Sequence, residues 1–254
     1  MHLGNGALTP ECAALAFGAA GVGLRAAAID LRRNMTSVTS RQLGLAAVLG
    51  AFVFAAQMFN VPVLPGISAH LVGGVLLAWM LGPSLGACTM AIVLAVQATV
   101  LGDGGLASLG ANVVNMALLP AGAVYVLRRL DCQRTSVAAA AAGLAVVLAA
   151  LLIPLETALF RSATELAGWS DFASHMLLSH LAAGTIEGVL TLTLLLALSP
   201  AKVSAVGNRF SWQTGLLRAS LCLAIFAALV ATRSELPDGY EASAESSGLS
   251  WLLK

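Results

Sequence analysis

Long apolar runs recur along this chain with short polar breaks between them, and that rhythm restricts its fold more than any other feature. A helix needs about 20 mostly apolar residues to cross a bilayer. Candidate spans fall at roughly 10–31, 42–59, 67–82, 85–101, 109–128, 136–155, 174–198 and 214–232, the third and fourth divided only by a turn at Gly82-Pro83-Ser84. Of the 254 residues, 59% are hydrophobic and only 10% charged. A soluble domain carries about a quarter charged residues, so a water-soluble fold is excluded. The expected class is an all-α polytopic membrane protein.

The cations give the orientation. With the N-terminus outside and the intramembrane Arg25 set aside, the inner connections and their flanks hold Arg32, Arg33, Arg41, Arg128, Arg129, Arg134, Lys202, Arg209 and Arg218. The outer segments hold only Arg161, Arg233 and Lys254. Positive charge collects on the cytoplasmic side of a membrane protein, so the N-terminus, His70, the loop around Asp103 and the C-terminus are expected to face outward from the plasma membrane of a prokaryote. The first basic residue is Arg25, which leaves no positive region for a signal peptide; the chain is expected to keep its start. A net charge of +1 gives no reason to expect nucleic acid as a partner. Cys12, Cys88, Cys132 and Cys222 form no CxxC pair and read as small apolar fillers. Ala- and Gly-rich stretches such as Val137 to Ala150 allow close helix packing, inside the bundle or against a partner subunit.

The start of the chain carries the most specific chemistry. A peptide beginning Met1-His2 offers a terminal amine, the His2 amide and the His2 imidazole, which close two fused chelate rings around one ion. Loss of the amide proton leaves a strong-field anionic donor, and nitrogen-rich tetragonal sites of this kind suit Ni(II) or Cu(II) and can accept Co(II). His70 is expected just inside the outer end of the third span, on the same side as Met1, where a fourth nitrogen completes a square plane. The same histidine could instead line the bundle as a hydrogen-bonding group.

Four blocks carry a family resemblance. Met1-His2-Leu3-Gly4-Asn5-Gly6-Ala7-Leu8-Thr9-Pro10, Pro65 to Gly74, Gln97 to Leu106 running on to Met116, and His180 to Gly188 resemble, in order, conserved-looking stretches of the CbiM/NikM family of metal-capture components. They cover roughly residues 1–200. The resemblance implies a seven-helix capture-subunit bundle for an energy-coupling-factor importer of Co(II) or Ni(II), with no cofactor and no enzymatic activity. It implies metal held by the Met1 amine, the His2 amide and imidazole, and His70. It also implies as partners a membrane coupling subunit and two cytoplasmic ATPase subunits. No GxxxxGK[ST] nucleotide motif is in the sequence, which agrees with that division of labour. Where the family often has an acidic residue near position 5, this chain has Asn5, leaving an amide to orient His2. A stand-alone nickel or cobalt channel or secondary carrier using the same ligands is the alternative.

The expected organisation is a capture domain over 1–200, a cytoplasmic linker over 201–213, and one extra C-terminal transmembrane helix with an outer tail over 214–254. Within that tail, Leu236-Pro237-Asp238-Gly239-Tyr240-Glu241 is similar to the PDGLE-type segment of the small N component that accompanies such capture proteins; a poorly ordered acidic tail is the other reading. Gln97, Asn112, Asn115 and His180 are candidates for a hydrogen-bonded shell around the N-terminus. Arg25 and Glu187, at similar depth, are expected to pair because intramembrane charges need partners. Asp103, between glycines, reads as a loop-shaping residue, and Asp171 and His175 as surface residues.

Overall fold

The computed structural model describes residues 2–33, 39–198 and 212–253. The chain is a helical membrane protein: α1 (Pro10–Arg33), α2 (Ser40–Gln57), a hairpin of β1 (Val61–Leu64) and β2 (Ile67–Ala69), α3 (Gly74–Leu81), α4 (Pro83–Val96), α5 (Leu109–Val113), α6 (Leu119–Arg129), α7 (Thr135–Ala158), α8 (Trp169–Leu198), α9 (Trp212–Ala231) and α10 (Gly239–Ser246). Among the described residues five helical stretches are long and apolar enough to cross a membrane: Pro10–Arg33, Pro83–Leu101, Leu109–Arg129, Thr135–Ala158 and Trp169–Leu198. Helices α2 and α9 coincide with two further expected spans. The expected linker 201–213 lies, up to its last two residues, outside the described residues.

The third expected span, 67–82, is corrected. It is helical only over Gly74–Leu81, about 12 Å of helix and too short to cross alone. Upstream, Pro65-Gly66 turns the chain into an antiparallel hairpin, with Val61 opposite Ala69, Pro62 opposite Ser68, and φ +76° at Gly66. Gly73, also at φ +76°, then stops the helix from extending backward. The segment carrying His70 is therefore extended backbone enclosed by protein, the condition under which non-helical chain survives at membrane depth.

Packing uses small residues where helices cross. On α7 the buried alanines Ala138, Ala142, Ala145 and Ala149 follow helical spacing and form one stripe. A Cβ added to Gly143 would stand 2.6 Å from the Gly184 carbonyl oxygen, and one added to Gly184 2.7 Å from that of Gly143. This α7–α8 crossing thus admits no side chain at either position. The small residues of Val137 to Ala150 serve internal packing on that stripe. The opposite faces present Leu144, Leu155, Leu178 and Val189 outward, as a lipid-facing surface requires.

Two helices are interrupted by π-helical turns, at Gln97–Leu101 after α4 and at Val114–Leu118 between α5 and α6. Such turns gather at functional sites because they re-aim one residue within a helix. Here each contains a buried amide side chain, Gln97 or Asn115.

Candidate functional site

The N-terminal segment is threaded into one end of the bundle and bonded along its backbone. Leu3 is fully buried; its amide donates to Asn112 Oδ1 at 3.0 Å, and its carbonyl accepts from Asn112 Nδ2 at 3.3 Å and from the Gly105 amide at 2.7 Å. Ser108 Oγ donates to the Gly4 carbonyl at 2.6 Å, and Asn5 Oδ1 accepts from the Ala107 amide at 3.1 Å. The loop can lie this close because it is made of glycine: a Cβ at Gly105 would collide with the backbone of Gly4 and Asn5, and Gly104 at φ +83° would place one 3.3 Å from His2 Cβ. Arg161 adds a clamp from the other side, donating to the carbonyls of Gly6 and Ala7.

This threading brings His2 against His70. Their rings are stacked with centroids 5.2 Å apart and planes 10° apart. His2 Nδ1 lies 3.2 Å from Asp103 Oδ1, while His2 Nε2 is buried with no hydrogen-bond partner among the described residues. His70 Nδ1 lies 3.0 Å from the Leu71 carbonyl, which can only accept, so Nδ1 carries the proton and the lone pair is on Nε2. Met1, the first expected donor, lies outside the described residues. Among the described residues no three His, Cys, Asp or Glu side chains converge as a metal cage. Side chains alone therefore do not complete a metal site, and backbone nitrogen would have to contribute.

The rings border a cavity of about 490 Å³, whose lining includes Asp103, Asp238 and Glu241. Burial works to raise the Asp103 carboxyl, but the hydrogen bond and charge of His2 outweigh it and hold the group below its ordinary value of 3.8. Burial likewise works against Asp238, and neighbouring positive charge and the α10 backbone amide of Glu241 hold its carboxyl below the usual range.

The C-terminal tail forms one wall of this cavity, so the reading of it as poorly ordered is corrected. Ser68 donates to the tail twice, from its amide to Pro237 O at 2.9 Å and from Oγ to Leu236 O at 2.6 Å. Asp238 caps α10, accepting from the Tyr240 and Glu241 amides, and Tyr240 is buried against Phe172. Arg161 lies over the Trp251 ring at 3.9 Å, so the residue that clamps the N-terminal segment also clamps the tail.

The other expected site residues divide. Asn112 holds the segment directly at Leu3, and Asn5, expected to orient His2, instead accepts from the Ala107 amide. Gln97 stands one step behind, donating to Gln57 Oε1 at 2.8 Å. Asn115 does not reach the segment; its amide donates to Glu156 Oε2 on α7 at 2.9 Å. His180 bonds the Met176 carbonyl of its own helix and packs beneath Gly239. The expected Arg25–Glu187 pair is corrected: Arg25 is exposed on α1, and both Glu187 oxygens accept backbone amides, from Val72 and Gly73 at 2.8 Å each. Two consecutive loop amides supply the partner that a cation was expected to supply. Asp171 and His175 are exposed, as expected.

Sequence reasoning missed Asp103, Gln57, Arg161 and Asp238 as members of this neighbourhood. The need of a ligand histidine for a partner on its other nitrogen is the signal that could have raised Asp103.

A multi-pass helical bundle whose extended N-terminal segment stacks one histidine on another defines a membrane protein built to present a small polar site at one end. Comparison with known proteins assigns it further. Residues 2–205 match the family model for CbiM, described as the cobalt uptake substrate-specific transmembrane region, and the chain belongs to that family. It is 32% identical over 212 residues to a provisionally named metal transport protein of Haloquadratum walsbyi, covering 83% of this chain and 95% of that one. It is 35% identical over 189 residues to a provisionally named fused nickel transport protein, NikMN, of Archaeoglobus fulgidus; the match takes in 74% of this chain but spans 61% of the relative's length. A crystal structure of a transition metal transporter superposes with a TM-score of 0.69 at 29% identity, covering 84% of this chain and 99% of that one.

Proposed function

We propose that this chain is the substrate-capture subunit of an ATP-driven energy-coupling-factor importer for Co(II) or Ni(II). The ion is held by the Met1 amine, the His2 amide nitrogen, the His2 imidazole and His70, and the chain works with a membrane coupling subunit and two cytoplasmic ATPase subunits. The observation that carries this reading is the stacking of His2 on His70, with His2 Nδ1 facing Asp103 at the edge of the cavity. Closing the chelate on the His2 amide uses Nδ1, which forms a six-membered ring with the metal, so capture takes that nitrogen from Asp103. Two imidazoles and two main-chain nitrogens form a tetragonal nitrogen set suited to Ni(II), with Co(II) accommodated.

The site faces outward, following the cation bias between the connections. The docked tail is the cis counterpart of a small N component and closes the outer side of the cavity. Full-length protein in detergent is tested by equilibrium dialysis against Ni(II) and Co(II), beside the same protein with its Met1 amine acetylated. Acetylation removes the amine donor, opens the five-membered ring and leaves the bundle untouched; high-affinity binding that survives it overturns the assignment. Uptake in cells lacking any coupling subunit and ATPase would favour the independent carrier instead.

A further inference from the structure

Glu187 lies on α8, outside the set of proposed ligands, and is 3% exposed. Its two oxygens accept from consecutive backbone amides, Oε2 from Val72 and Oε1 from Gly73, each at 2.8 Å. Those amides belong to two successive peptide planes. In a trans peptide the N–H and C=O point in opposite directions, so gripping one end aims the other. The first plane directs the Leu71 carbonyl to His70 Nδ1 at 3.0 Å. The second directs the Val72 carbonyl to Gln57 Nε2 at 2.7 Å, and Gln57 Oε1 is in turn held by Gln97. Both planes are thus fixed at both ends, across a turn whose Gly73 sits at φ +76° and whose Cβ position would fall 2.8 Å from Val53.

We infer that Glu187 is a positioning residue that sets the tautomer and ring orientation of His70 through the Leu71–Val72 peptide. The carboxyl holds the amide, the amide fixes the carbonyl, the carbonyl accepts a hydrogen bond from Nδ1–H, and Nε2 is left with the lone pair that a metal needs. The usual arrangement for a ligand histidine, in which a direct acceptor on the second nitrogen fixes the tautomer, is here extended by one peptide into the bundle. Gln57 and Gln97 brace the same turn from the opposite side. This inference rests on the reading of His70 as a ligand.

The test uses the full chain in nanodiscs with ¹⁵N-labelled histidine. The His70 resonances, identified by their loss in His70→Ala, report which ring nitrogen is protonated in the metal-free protein. Ni(II) affinity is measured in parallel. Wild type is expected to show the Nδ1-protonated tautomer alone. Glu187→Gln keeps one acceptor and opposes the second amide with an NH₂ group; it is expected to mix the tautomers and weaken Ni(II) binding about 10-fold, and Glu187→Ala about 100-fold, the range for loss of a ligand's orienting partner. Should Glu187→Ala fail to fold, Glu187→Gln decides. A merely structural role would lower the unfolding temperature and leave the His70 tautomer unchanged. That result, or unchanged Ni(II) affinity in Glu187→Gln, overturns the inference while leaving the ligand reading intact. Wild-type affinity in His70→Ala overturns both.

Discussion

The N-terminal segment and the α7–α8 crossing are both tightly packed, yet they are held by different forces. From His2 to Ala7 the chain is non-helical, and its carbonyls and amides are taken one by one by Asn112, Gly105, Ser108 and Arg161. Between α7 and α8 the helices satisfy their own backbones, and the contact is van der Waals packing of glycine and alanine. The first arrangement fixes position, because hydrogen bonds are directional. The second supplies cohesion, which depends on volume and tolerates small slides. A site that needs its donors in one geometry belongs in the first region, and a support belongs in the second.

That contrast is sharpest when the same small change is made in each. The largest expected effect is acetylation of the Met1 amine, which removes one donor of the chelate and opens its five-membered ring. Ni(II) affinity should fall at least about 1,000-fold, corresponding to roughly 4 kcal/mol, with the unfolding temperature unchanged. Next come paired glycine substitutions. Gly105→Ala places a methyl group into the backbone of Gly4 and Asn5, so the segment must lift out; affinity should drop about 100-fold with little loss of bundle stability. Gly184→Ala pushes α7 from α8 and should cost about 1–3 kcal/mol of stability, the usual cost of overpacking, while Ni(II) binding stays within a few-fold of wild type. Dialysis and thermal unfolding on the same two preparations decide it. If Gly184→Ala also abolishes binding, the two regions are not separable.

Asn112→Ala is expected to act in the same direction as Gly105→Ala and more weakly. It removes two bonds to Leu3 and leaves the Leu3 amide buried without a partner, a penalty of about 1–3 kcal/mol. Some of that loss appears as weaker metal binding, because the empty segment is then less ordered. Slower proteolysis of the N-terminus in metal-loaded Asn112→Ala than in the empty variant would show that ordering is now coupled to the ion.

What the sequence made legible follows the same division. Spans packed by self-satisfied helices could be read from length and hydropathy, and helices at Thr135–Ala158 and Trp169–Leu198 lie where apolar runs predict them. The stretch 67–73 could not be read that way. It is as apolar as a helix, and only Pro65-Gly66 and Gly73 announce that it is extended, with its amides satisfied by a glutamate more than 110 residues away in sequence. Periodicity carries no information about so distant a partner. The same limit explains the Arg25–Glu187 error: depth in the membrane suggested a cation for the carboxyl, whereas the backbone of an unpredicted loop was its partner. His2 and His70 were legible because chelate chemistry restricts which residues can serve. Asp238 and Arg161 were not, since a capping aspartate and a surface arginine look alike in any sequence until the tail is seen docked.

The smallest expected effect concerns Asp103, where two contributions oppose each other. Its hydrogen bond to His2 Nδ1 competes with the metal for that nitrogen, so removing it favours binding. Its charge faces an incoming dication across the acidic cavity, so removing it disfavours binding. The hydrogen bond is partly exposed, with the Asp103 side chain 38% accessible, and such contacts contribute about 1 kcal/mol or less. A unit negative charge about 6 Å from a dication contributes about 3 kcal/mol at an effective dielectric constant near 40. The charge wins, and Asp103→Asn should weaken Ni(II) binding by roughly 3- to 10-fold once added salt screens part of it. The loss should fall mainly on the association rate and shrink further as ionic strength rises. Because the carboxyl is held below its ordinary value, its contribution is complete above that value and is lost only in acid; wild type and Asp103→Asn should therefore show parallel pH profiles around neutrality. Stopped-flow binding at two salt concentrations tests the sign: faster or tighter capture by Asp103→Asn would mean that the hydrogen bond, and not the charge, governs this position.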